Sequence, residues 1–289
     1  MALLALAHRA FPGQVVAATV DHRLRADAAR EAAMVAGHCA ALGVPHATLT
    51  PATPISGASI QARARDARYA LLAEWVRAAG AETLATAHHV DDQAETFLMR
   101  AARGSGIAGL AGIRPRATIA GIAVIRPLLC WRRAELRALA AAAGAPFVDD
   151  PANADPRHDR THFRALLRDS AWLDPAALAR AAAALAEGEE ALAAAADLLW
   201  AARATTGDAT ITLDVSAVPR ELRRRLARRA IAQVRAAHHI TAPEWRDSAN
   251  IEPLLDALDR GIRATQAGVM LSARGDCWTI AAAPPRRTG

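Results

Sequence analysis

Short apolar runs rich in β-branched residues alternate with longer segments of helical periodicity through the first half of the chain, and no other feature limits its fold as strongly. Runs with the composition of buried strands occur at 14–22 (QVVAATVDH), 44–50 (VPHATLT), 82–89 (ETLATAHH) and 119–129 (IAGIAVIRPLL). A segment with apolar residues at helical spacing follows each run, and the first of these helices is expected to end at Gly43. Such repeats predict an α/β fold: a parallel sheet with helices on both faces.

In the second half of the chain, long helical segments replace the alternation of strands and helices, which predicts a second domain. An alanine-rich helical stretch covers about 174–203, and PRELRRRLARRAIAQVRAA at 219–237 reads as a further helix. The segment at 263–284 reads as short strands with a turn at Gly275-Asp276. We therefore predict a first domain at 1–170, followed by a smaller, mainly helical domain with a small β tail at 171–289.

All 35 basic residues are arginines, and the formal net charge is +6. Coding bias toward alanine, arginine and glycine explains this composition, but arginine also binds phosphate bidentately, so the surface suits a nucleic-acid partner as well. Cys39, Cys130 and Cys277 form no CxxC pair, which indicates a reduced, cytoplasmic setting without disulfides or a thiolate zinc site. No apolar run approaches the ~20 residues of a membrane span, so no membrane partner is expected.

Polar, titratable residues gather where the third strand gives way to the third helix: His88, His89, Asp91, Asp92 and Glu95. Ligands of parallel α/β sheets bind beyond the carboxyl ends of the strands. The first strand also ends in polar residues, Asp21 and His22. Two polar clusters are therefore expected to converge on one crevice, which predicts a ligand site there.

Two other interpretations of the cluster compete with a ligand site. Asp92 and Glu95 have the spacing of a capping box, and acidic residues favour a helix N-terminus. Capping leaves Asp91 and the two histidines unexplained. A dinuclear metal hydrolase would also use histidine and aspartate, but such sites collect ligands from several strands, and the sequence offers no convincing third cluster.

Five motifs resemble, in order and spacing, those of the tRNA(Ile)-lysidine synthetases, which belong to the PP-loop ATP pyrophosphatase superfamily. The motifs are VDHRLR at 20–25, ARDARYALL at 64–72, AHHVDDQAETFLMRAARGSGIAGLAG at 87–112, RPLL at 126–129 and DDPANAD at 149–155. The third motif is highly specific, and the chain is identified as a member of this family. The resemblance implies an adenine-nucleotide alpha-hydrolase-like first domain with the catalytic site and a second domain that binds tRNA.

The resemblance implies a ligase that forms a carbon–nitrogen bond in two steps. ATP adenylates the C2 oxygen of the wobble cytidine in an isoleucine tRNA with the anticodon CAU, and pyrophosphate leaves. The ε-amine of free lysine then displaces AMP, which yields lysidine. ATP and Mg²⁺ are the expected cofactors. The sequence leaves open whether the enzyme works as a homodimer.

The resemblance and the chemistry of each side chain together assign roles to individual residues. The residues expected in catalysis are His88, Asp91, Asp92, Arg65 and Arg68. Asp91 and Asp92 would hold Mg²⁺ or the lysine ammonium, and His88 suits proton handling. The residues expected to bind ATP are Val20, Asp21, His22, Arg103, Gly104 and Ser105. The residues expected to bind tRNA are Arg160, Arg164, Arg224 and Arg228.

The sequence departs from the family pattern in two places. Its first residues match the helix that follows the family's Ser-Gly-Gly-x-Asp-Ser loop, which cradles the ATP phosphates, but the loop itself does not occur. Either Met1 is an internal methionine of a longer protein or the loop has been lost, and we expect the chain as given to bind ATP poorly and to lack a central strand. In DRTHFR at 159–164, Thr161 replaces the family's asparagine.

Two rival functions follow from the same residues. tRNA thiolation is the nearest within the superfamily, but thiolases need cysteine pairs for sulfur or iron–sulfur chemistry, and this sequence has none. A catalytically impaired or non-catalytic tRNA-binding protein would use the arginine face of residues 220–235 without the phosphate loop. That face is explained equally well as the solvated side of a helix.

Overall fold

The computed structural model describes residues 1–25, 27–57, 59–148, 159–207, 210–246 and 249–284, so the DDPANAD motif lies outside the described residues. The chain forms two compact units, Met1–Ala186 and Glu187–Gly289. The predicted boundary near residue 170 falls before this division, and the domain limits stay a prediction.

The first unit alternates helices and strands in the predicted order. Its helices are α1 (Ala2–Ala10), α2 (Ala28–Ala41), α3 (Ile60–Ala78), α4 (Val90–Ala102), α5 (Ile107–Leu110), α6 (Arg133–Ala142) and α7 (Asp159–Asp169). Its strands are β1 (Ala17–Val20), β2 (His46–Leu49), β3 (Thr83–Ala85), β4 (Arg116–Ile119) and β5 (Ile122–Ile125). A long helix, α8 (Pro175–Arg203), continues into the residues of the second unit.

The strands of the first unit pair as strand–helix–strand crossovers require. β1 lies parallel to β2, and β3 lies parallel to β5. Within the described residues no ladder joins β1 to β3, so the parallel strands form two separate sheets. α3 packs against both, and its Tyr69 and Val76 share an apolar cluster with Val20 of β1 and Leu84 of β3. The predicted α/β class with parallel strands is confirmed.

The segment IAGIAVIRPLL forms a hairpin rather than the predicted single strand. β4 ends at Ile119, β5 begins at Ile122, and the two strands pair antiparallel. Between them, Ala120 and Gly121 have φ values of 50° and 75°, and a type I′ turn requires positive φ at both positions. Because Ala-Gly is a weaker turn signal than Asn-Gly, the sequence pattern conceals this hairpin.

The second unit combines the end of α8 with two further helices and a sheet. The helices are α9 (Arg220–Ala237) and α10 (Glu252–Asp259). The strands are β6 (Ala204–Thr206), β7 (Thr210–Asp214), β8 (Ala264–Gln266), β9 (Val269–Arg274) and β10 (Cys277–Ala282). α9 packs on this sheet, and Leu226 of the helix and Trp278 of β10 are buried in the same core. The helices in the described ranges include none with the length and apolar character that crossing a bilayer requires.

The sheet of the second unit is larger than the predicted β tail. Its five strands lie in the order β6-β7-β10-β9-β8, and the predicted turn at Gly275-Asp276 joins β9 to β10. β6 and β7 are an addition to the prediction. TITLD at 210–214 offers only two apolar residues, Ile211 and Leu213, and both become buried because β7 pairs with β10, far along the chain.

Candidate active site

The joint between β3 and α4 is stabilised by a cap that differs from the expected one. His89 is the N-cap residue, and its Nδ1 accepts a hydrogen bond from the Asp92 backbone N–H at 3.3 Å. In return, Asp92 Oδ2 accepts from the His89 backbone N–H at 3.1 Å. The capping interpretation of Asp92 with Glu95 is therefore wrong. His89 and Asp92 close the capping box, which leaves Glu95 available for other contacts.

Glu95 is a buried carboxylate that pairs with two arginines. The residue is 3% exposed. Its Oε2 accepts from Arg160 Nε at 2.5 Å, and its Oε1 accepts from Arg164 Nε at 2.7 Å. Sequence reasoning considered Glu95 only as a capping residue. The signal that points to a second role is its i, i+3 spacing from Asp92, which puts both carboxylates on one side of α4.

Arg160 connects the two carboxylates of α4. Its Nη2 donates to Asp92 Oδ1 at 2.8 Å while its Nε donates to Glu95. The predicted tRNA-binding residues Arg160 and Arg164 thus hold α7 against α4 through charge-assisted hydrogen bonds. Arg160 still keeps 40% of its side chain exposed, so it also faces a neighbouring cleft.

A cleft of about 290 Å³ opens beside this joint. The side chains that line it are Arg65, Arg68, Tyr69, Leu72, Thr86, Ala87, His88, Asp92 and Arg160. The guanidinium carbon of Arg65 lies 5.0 Å from the centre of the Tyr69 ring, a cation–π arrangement along α3. The structure therefore brings four of the five predicted catalytic residues to one cleft.

His88 is neutral at physiological pH. Burial lowers its pKa to about 4; the Asp92 charge opposes this shift, and the charges of Arg126, Arg65 and Arg160 add to it. Its Nδ1 lies 3.0 Å from Thr86 Oγ1. The environment therefore favours an imidazole that exchanges hydrogen bonds over one that carries a proton at pH 7.

The end of β1 lies next to this cleft, as predicted from the two polar clusters. Arg68, which lines the cleft, donates through Nε to His22 Nε2 at 3.4 Å. Burial and then the Arg68 charge lower the pKa of His22, while Asp21 raises it. Asp21 is itself buried and accepts from the Arg23 backbone N–H at 2.8 Å. The edge from Val20 to His22 and the edge at His88 thus share Arg68 as a neighbour.

Asp91 faces α6, and it is the one predicted catalytic residue that does not line the cleft. Its Oδ2 accepts from the Arg133 backbone N–H at 2.7 Å, and its Oδ1 accepts from Arg132 Nη2 at 3.2 Å. Burial raises the pKa of Asp91, but these hydrogen bonds and the neighbouring Arg132 charge outweigh it, so the pKa lies below its usual range. Of the two predicted metal ligands, Asp92 is the one at the cleft.

No group of three or more His, Cys, Asp or Glu side chains within the described ranges has the arrangement of a metal site. Mg²⁺ commonly binds through one or two carboxylates, with waters and substrate phosphates completing its shell. A single cleft carboxylate such as Asp92 fits that mode of binding. It does not fit a site built from protein ligands alone.

Arg103, Gly104 and Ser105 form the turn that ends α4. Gly104 has φ 68°, and the Ser105 backbone N–H donates to the Arg100 carbonyl at 3.0 Å. With a rise of ~1.5 Å per residue, this turn lies about 20 Å along the helix from His88. None of the three residues lines the cleft. Their predicted contact with ATP therefore rests on the resemblance alone.

Arg224 and Arg228, the remaining predicted tRNA-binding residues, lie on α9 in the second unit. Arg224 pairs with Glu221 and, through Nε, with Glu252 Oε1 at 2.6 Å. Hydrogen bonds from Arg224 and Arg220 lower the pKa of Glu252 to about 2. Arg228 donates through Nη2 to the Ala249 carbonyl at 2.8 Å. The arginine face of α9 is therefore partly neutralised by acidic side chains of the same unit.

Comparison with known proteins defines the class of the first unit. The family model described as a PP-loop domain matches residues 1–170, a span that includes the cleft and both polar edges. The chain is thus a PP-loop protein.

Similar proteins narrow this class to one family. The tRNA(Ile)-lysidine synthase of Zymomonas mobilis subsp. mobilis is 42% identical over 283 residues, which cover 94% of this chain and 82% of that protein. The synthase of Novosphingobium aromaticivorans is 40% identical over 291 residues, 100% of this chain and 87% of that protein. The synthase of Methylobacterium nodulans is 42% identical over 285 residues, 95% of this chain and 84% of that protein. The chain belongs to the tRNA(Ile)-lysidine synthase family, and the resemblance found in its motifs is confirmed.

Proposed function

We propose that the chain catalyses the ATP-dependent ligation of lysine to C2 of the wobble cytidine in an isoleucine tRNA with the anticodon CAU. The C2 oxygen attacks the α-phosphorus of ATP, and pyrophosphate leaves. The neutral ε-amine of lysine then attacks C2, the C2–O bond breaks as AMP leaves with that oxygen, and the nitrogen loses a proton to solvent. The observation that carries the proposal is family membership over nearly the whole chain. A cleft of arginine, histidine and carboxylate side chains at the carboxyl edge of the strands supports it. We expect the enzyme to act in the cytoplasm.

Arg65 and Arg68 are proposed to contact the ATP phosphates. Both line the cleft from α3, and arginine neutralises the charge that spreads over the triphosphate during adenylation. The edge from Val20 to His22 is proposed to receive the adenine, because Arg68 links His22 to the cleft. ATP would then lie along α3 with its phosphates toward His88.

Asp92 is proposed to hold both Mg²⁺ and, before the second step, the lysine ammonium, which must lose a proton before its nitrogen attacks. Its side chain lines the cleft, and Arg160 and the His89 backbone N–H orient its two oxygens. Bound Mg²⁺ would neutralise negative charge on the polyphosphate and so favour departure of pyrophosphate. For Asp91 to act as a second Mg²⁺ ligand, its carboxylate would have to give up its hydrogen bonds to Arg132 and Arg133 at the start of α6.

His88 is proposed to bind substrate as a neutral hydrogen-bonding group. A base with a pKa of about 4 accepts a proton weakly at pH 7. Its imidazole therefore suits orientation of the cytosine or the ATP better than removal of a proton from lysine. Arg160, exposed at the cleft, can contact tRNA while its other donors remain on Asp92 and Glu95.

The test is lysidine formation by the full chain. Purified protein is incubated with ATP, Mg²⁺, radiolabelled lysine and a transcript of isoleucine tRNA with the anticodon CAU. ATP is supplied in large excess because this chain is expected to bind it poorly, and we then expect ATP-dependent incorporation of lysine into the RNA together with release of AMP and pyrophosphate. A transcript with uridine at the wobble position is the matched control and should incorporate none. Binding of the tRNA without incorporation or AMP release would contradict the proposal and support the non-catalytic alternative.

A further inference from the structure

The Arg-Pro-Leu-Leu motif at 126–129 has no role in the proposed reaction, yet its arginine lies at the same sheet edge as the cleft. Arg126 directly follows β5, and β5 runs parallel to β3, with the Thr86 backbone N–H donating to the Ile125 carbonyl at 2.9 Å. β4 begins at this edge as well, since Arg116 pairs with Ile125. Arg114, two residues before β4, therefore comes to the same edge.

Arg126 is buried with part of its guanidinium unsatisfied. The residue is 6% exposed, and its Nη1 donates to the Arg114 carbonyl at 2.6 Å. Its Nε is buried and has no hydrogen-bond partner, and Arg114 Nη1 is in the same situation. An unmade hydrogen bond at a buried charged donor is costly, which makes both groups strong candidates for ligand contact.

Further positive charge lies close to these two arginines. Arg100, on α4, donates through Nη1 to the Gly109 carbonyl at 2.6 Å, and burial followed by the charges of Arg65 and Arg114 lowers its pKa. The charges of Arg126 and Arg65 both act on His88. Within the described ranges, no carboxylate forms an ion pair with Arg65, Arg100, Arg114 or Arg126. Arg160, at the same cleft, is instead paired with Asp92.

We propose that Arg126 and Arg114 bind a phosphate group beside His88, with Arg65 completing the site from α3. Arg126 is a buried cation without a described counter-ion, which is unfavourable, and a bound anion removes that cost. Arginines gathered at one sheet edge favour an anion with more than one charged oxygen, and their planar guanidinium groups match phosphate. The inference rests on the proposed function for the source of the phosphate, which is either ATP or the tRNA backbone.

The first experiment measures thermal unfolding with inorganic pyrophosphate in the presence of EDTA, so that Mg²⁺ does not contribute. We expect pyrophosphate at tenfold its dissociation constant to raise the Tm of the wild-type chain by about 4 °C. Arg126→Met should abolish this rise and should itself raise the Tm without pyrophosphate, because an unpaired buried charge is removed. Arg116→Gln, an exposed arginine on neighbouring β4, is the matched control and should respond like the wild type. Sodium acetate at equal ionic strength should leave every Tm unchanged.

A purely structural Arg126 gives the opposite pattern. Arg126→Met would then lower the Tm, and its response to pyrophosphate would equal that of the wild type, which would overturn the proposal. Absence of a pyrophosphate response in the wild type would overturn it too, as would an equal response to acetate. If Arg126→Met does not fold, Arg114→Gln replaces it, since Arg114 is only half-buried. A full response in that variant would count against the site.

The second experiment identifies the source of the phosphate. Calorimetric titration with ATP and fluorescence anisotropy with a labelled anticodon stem-loop RNA are carried out on the wild type and on Arg114→Gln. A tenfold loss confined to ATP assigns the site to the nucleotide, and a tenfold loss confined to RNA assigns it to the tRNA backbone. Unchanged affinity in both arms would overturn the proposal. The pyrophosphate response does not depend on lysidine formation, so failure of the proposed function leaves it intact as a separate result.

Discussion

Asp92 and Glu95 lie one helical turn apart on α4, share Arg160 as a partner, and have different surroundings. Asp92 faces the cleft, whereas Glu95 is enclosed between α4 and the arginines of α7. A carboxylate at a cleft can change partners when ligand binds, but a buried one cannot without leaving charge unpaired. At the residue scale we therefore expect Asp92 to affect chemistry and Glu95 to affect stability.

Asp92→Asn should slow adenylation. The amide keeps the size of the side chain but removes the negative charge proposed to hold Mg²⁺, so we expect a fall of about 10²-fold in the single-turnover rate. The rate is measured as formation of AMP-linked tRNA in the absence of lysine. A wild-type rate would remove Asp92 from the mechanism.

Glu95→Gln should destabilise the first unit. The change leaves Arg160 and Arg164 without their shared carboxylate, and we expect the free energy of unfolding to fall by about 2 kcal/mol, below the range for fully buried pairs because both arginines are partly exposed. Urea unfolding measures the difference. Glu74→Gln, on the exposed side of α3, is the control and should change stability little. Equal stability of Glu95→Gln and Glu74→Gln would contradict the buried-pair assignment.

His88 should make the chain less stable as the pH falls from 6.5 toward 4. Its pKa is lowered from 6.5 to about 4 on folding, so the unfolded chain binds the proton first over this interval. The contribution is complete above pH 6.5, and roughly 3 kcal/mol at most is lost by pH 4. His88→Asn, which retains a partner for Thr86, removes this titration. Urea unfolding at pH 7.5, 6 and 5 should show a smaller loss for the variant, and parallel losses would argue against the shift.

At the scale of elements, the hairpin of β4 and β5 brings Arg114 and Arg126 to the edge where β3 meets α4. Its two-residue turn holds both central residues at positive φ, and one of them is an alanine. Left-handed backbone costs an alanine roughly 1 kcal/mol, whereas asparagine tolerates it. The turn therefore carries strain that a single substitution can relieve.

Ala120→Asn should raise the free energy of unfolding by about 0.5–1 kcal/mol. The contact from Arg77 Nη2 to the Ala120 carbonyl, at 2.8 Å, involves the backbone and should persist. Chemical denaturation measures the change, and Ala123→Asn within β5 serves as the control that should lower stability. A destabilised Ala120→Asn would contradict the type I′ assignment.

At the scale of the whole molecule, the excess of arginine is organised differently in the two units. Around the cleft, Arg65, Arg100, Arg114 and Arg126 form no ion pairs with described carboxylates. On α9, Arg220 and its neighbours are matched by acidic residues of α9 and α10. Net charge alone therefore does not identify the surface that binds RNA.

Charge reversal on α9 tests its proposed contact with tRNA. If Arg224 and Arg228 bind phosphates, Arg224→Glu combined with Arg228→Glu should weaken tRNA binding about tenfold or more and reduce the salt dependence of the affinity. Arg260→Glu combined with Arg263→Glu changes the net charge equally at exposed positions of the same unit and is the matched control. Affinity is measured by filter binding over a range of salt concentrations. Equal losses in the two double variants would indicate a general charge effect, and no loss would identify the α9 face as a solvated surface.

The predictions that succeeded rest on local sequence patterns. Strand and helix patterns depend on neighbouring residues, so the α/β class and the order of the main elements of the first unit were available from the sequence. The β4–β5 hairpin and strands β6 and β7 were missed because their turn residues and short apolar runs are weak signals. Each hairpin is anchored by one strand that pairs far along the chain, β5 with β3 and β7 with β10.

The motif from His88 to Glu95, together with the other family motifs in their order along the chain, was enough to identify the family. The same residues placed a polar site at the carboxyl edge of the strands. Only the tertiary structure decided how those polar groups are used. Glu95 is buried against arginines that lie more than sixty residues away, and Asp91 faces α6. Arg126 is buried, and no carboxylate of the described residues pairs with it. The physical reason is that burial and ion pairing depend on which segments pack together in the folded chain. The spacing of residues within one segment does not determine which distant segments it will contact.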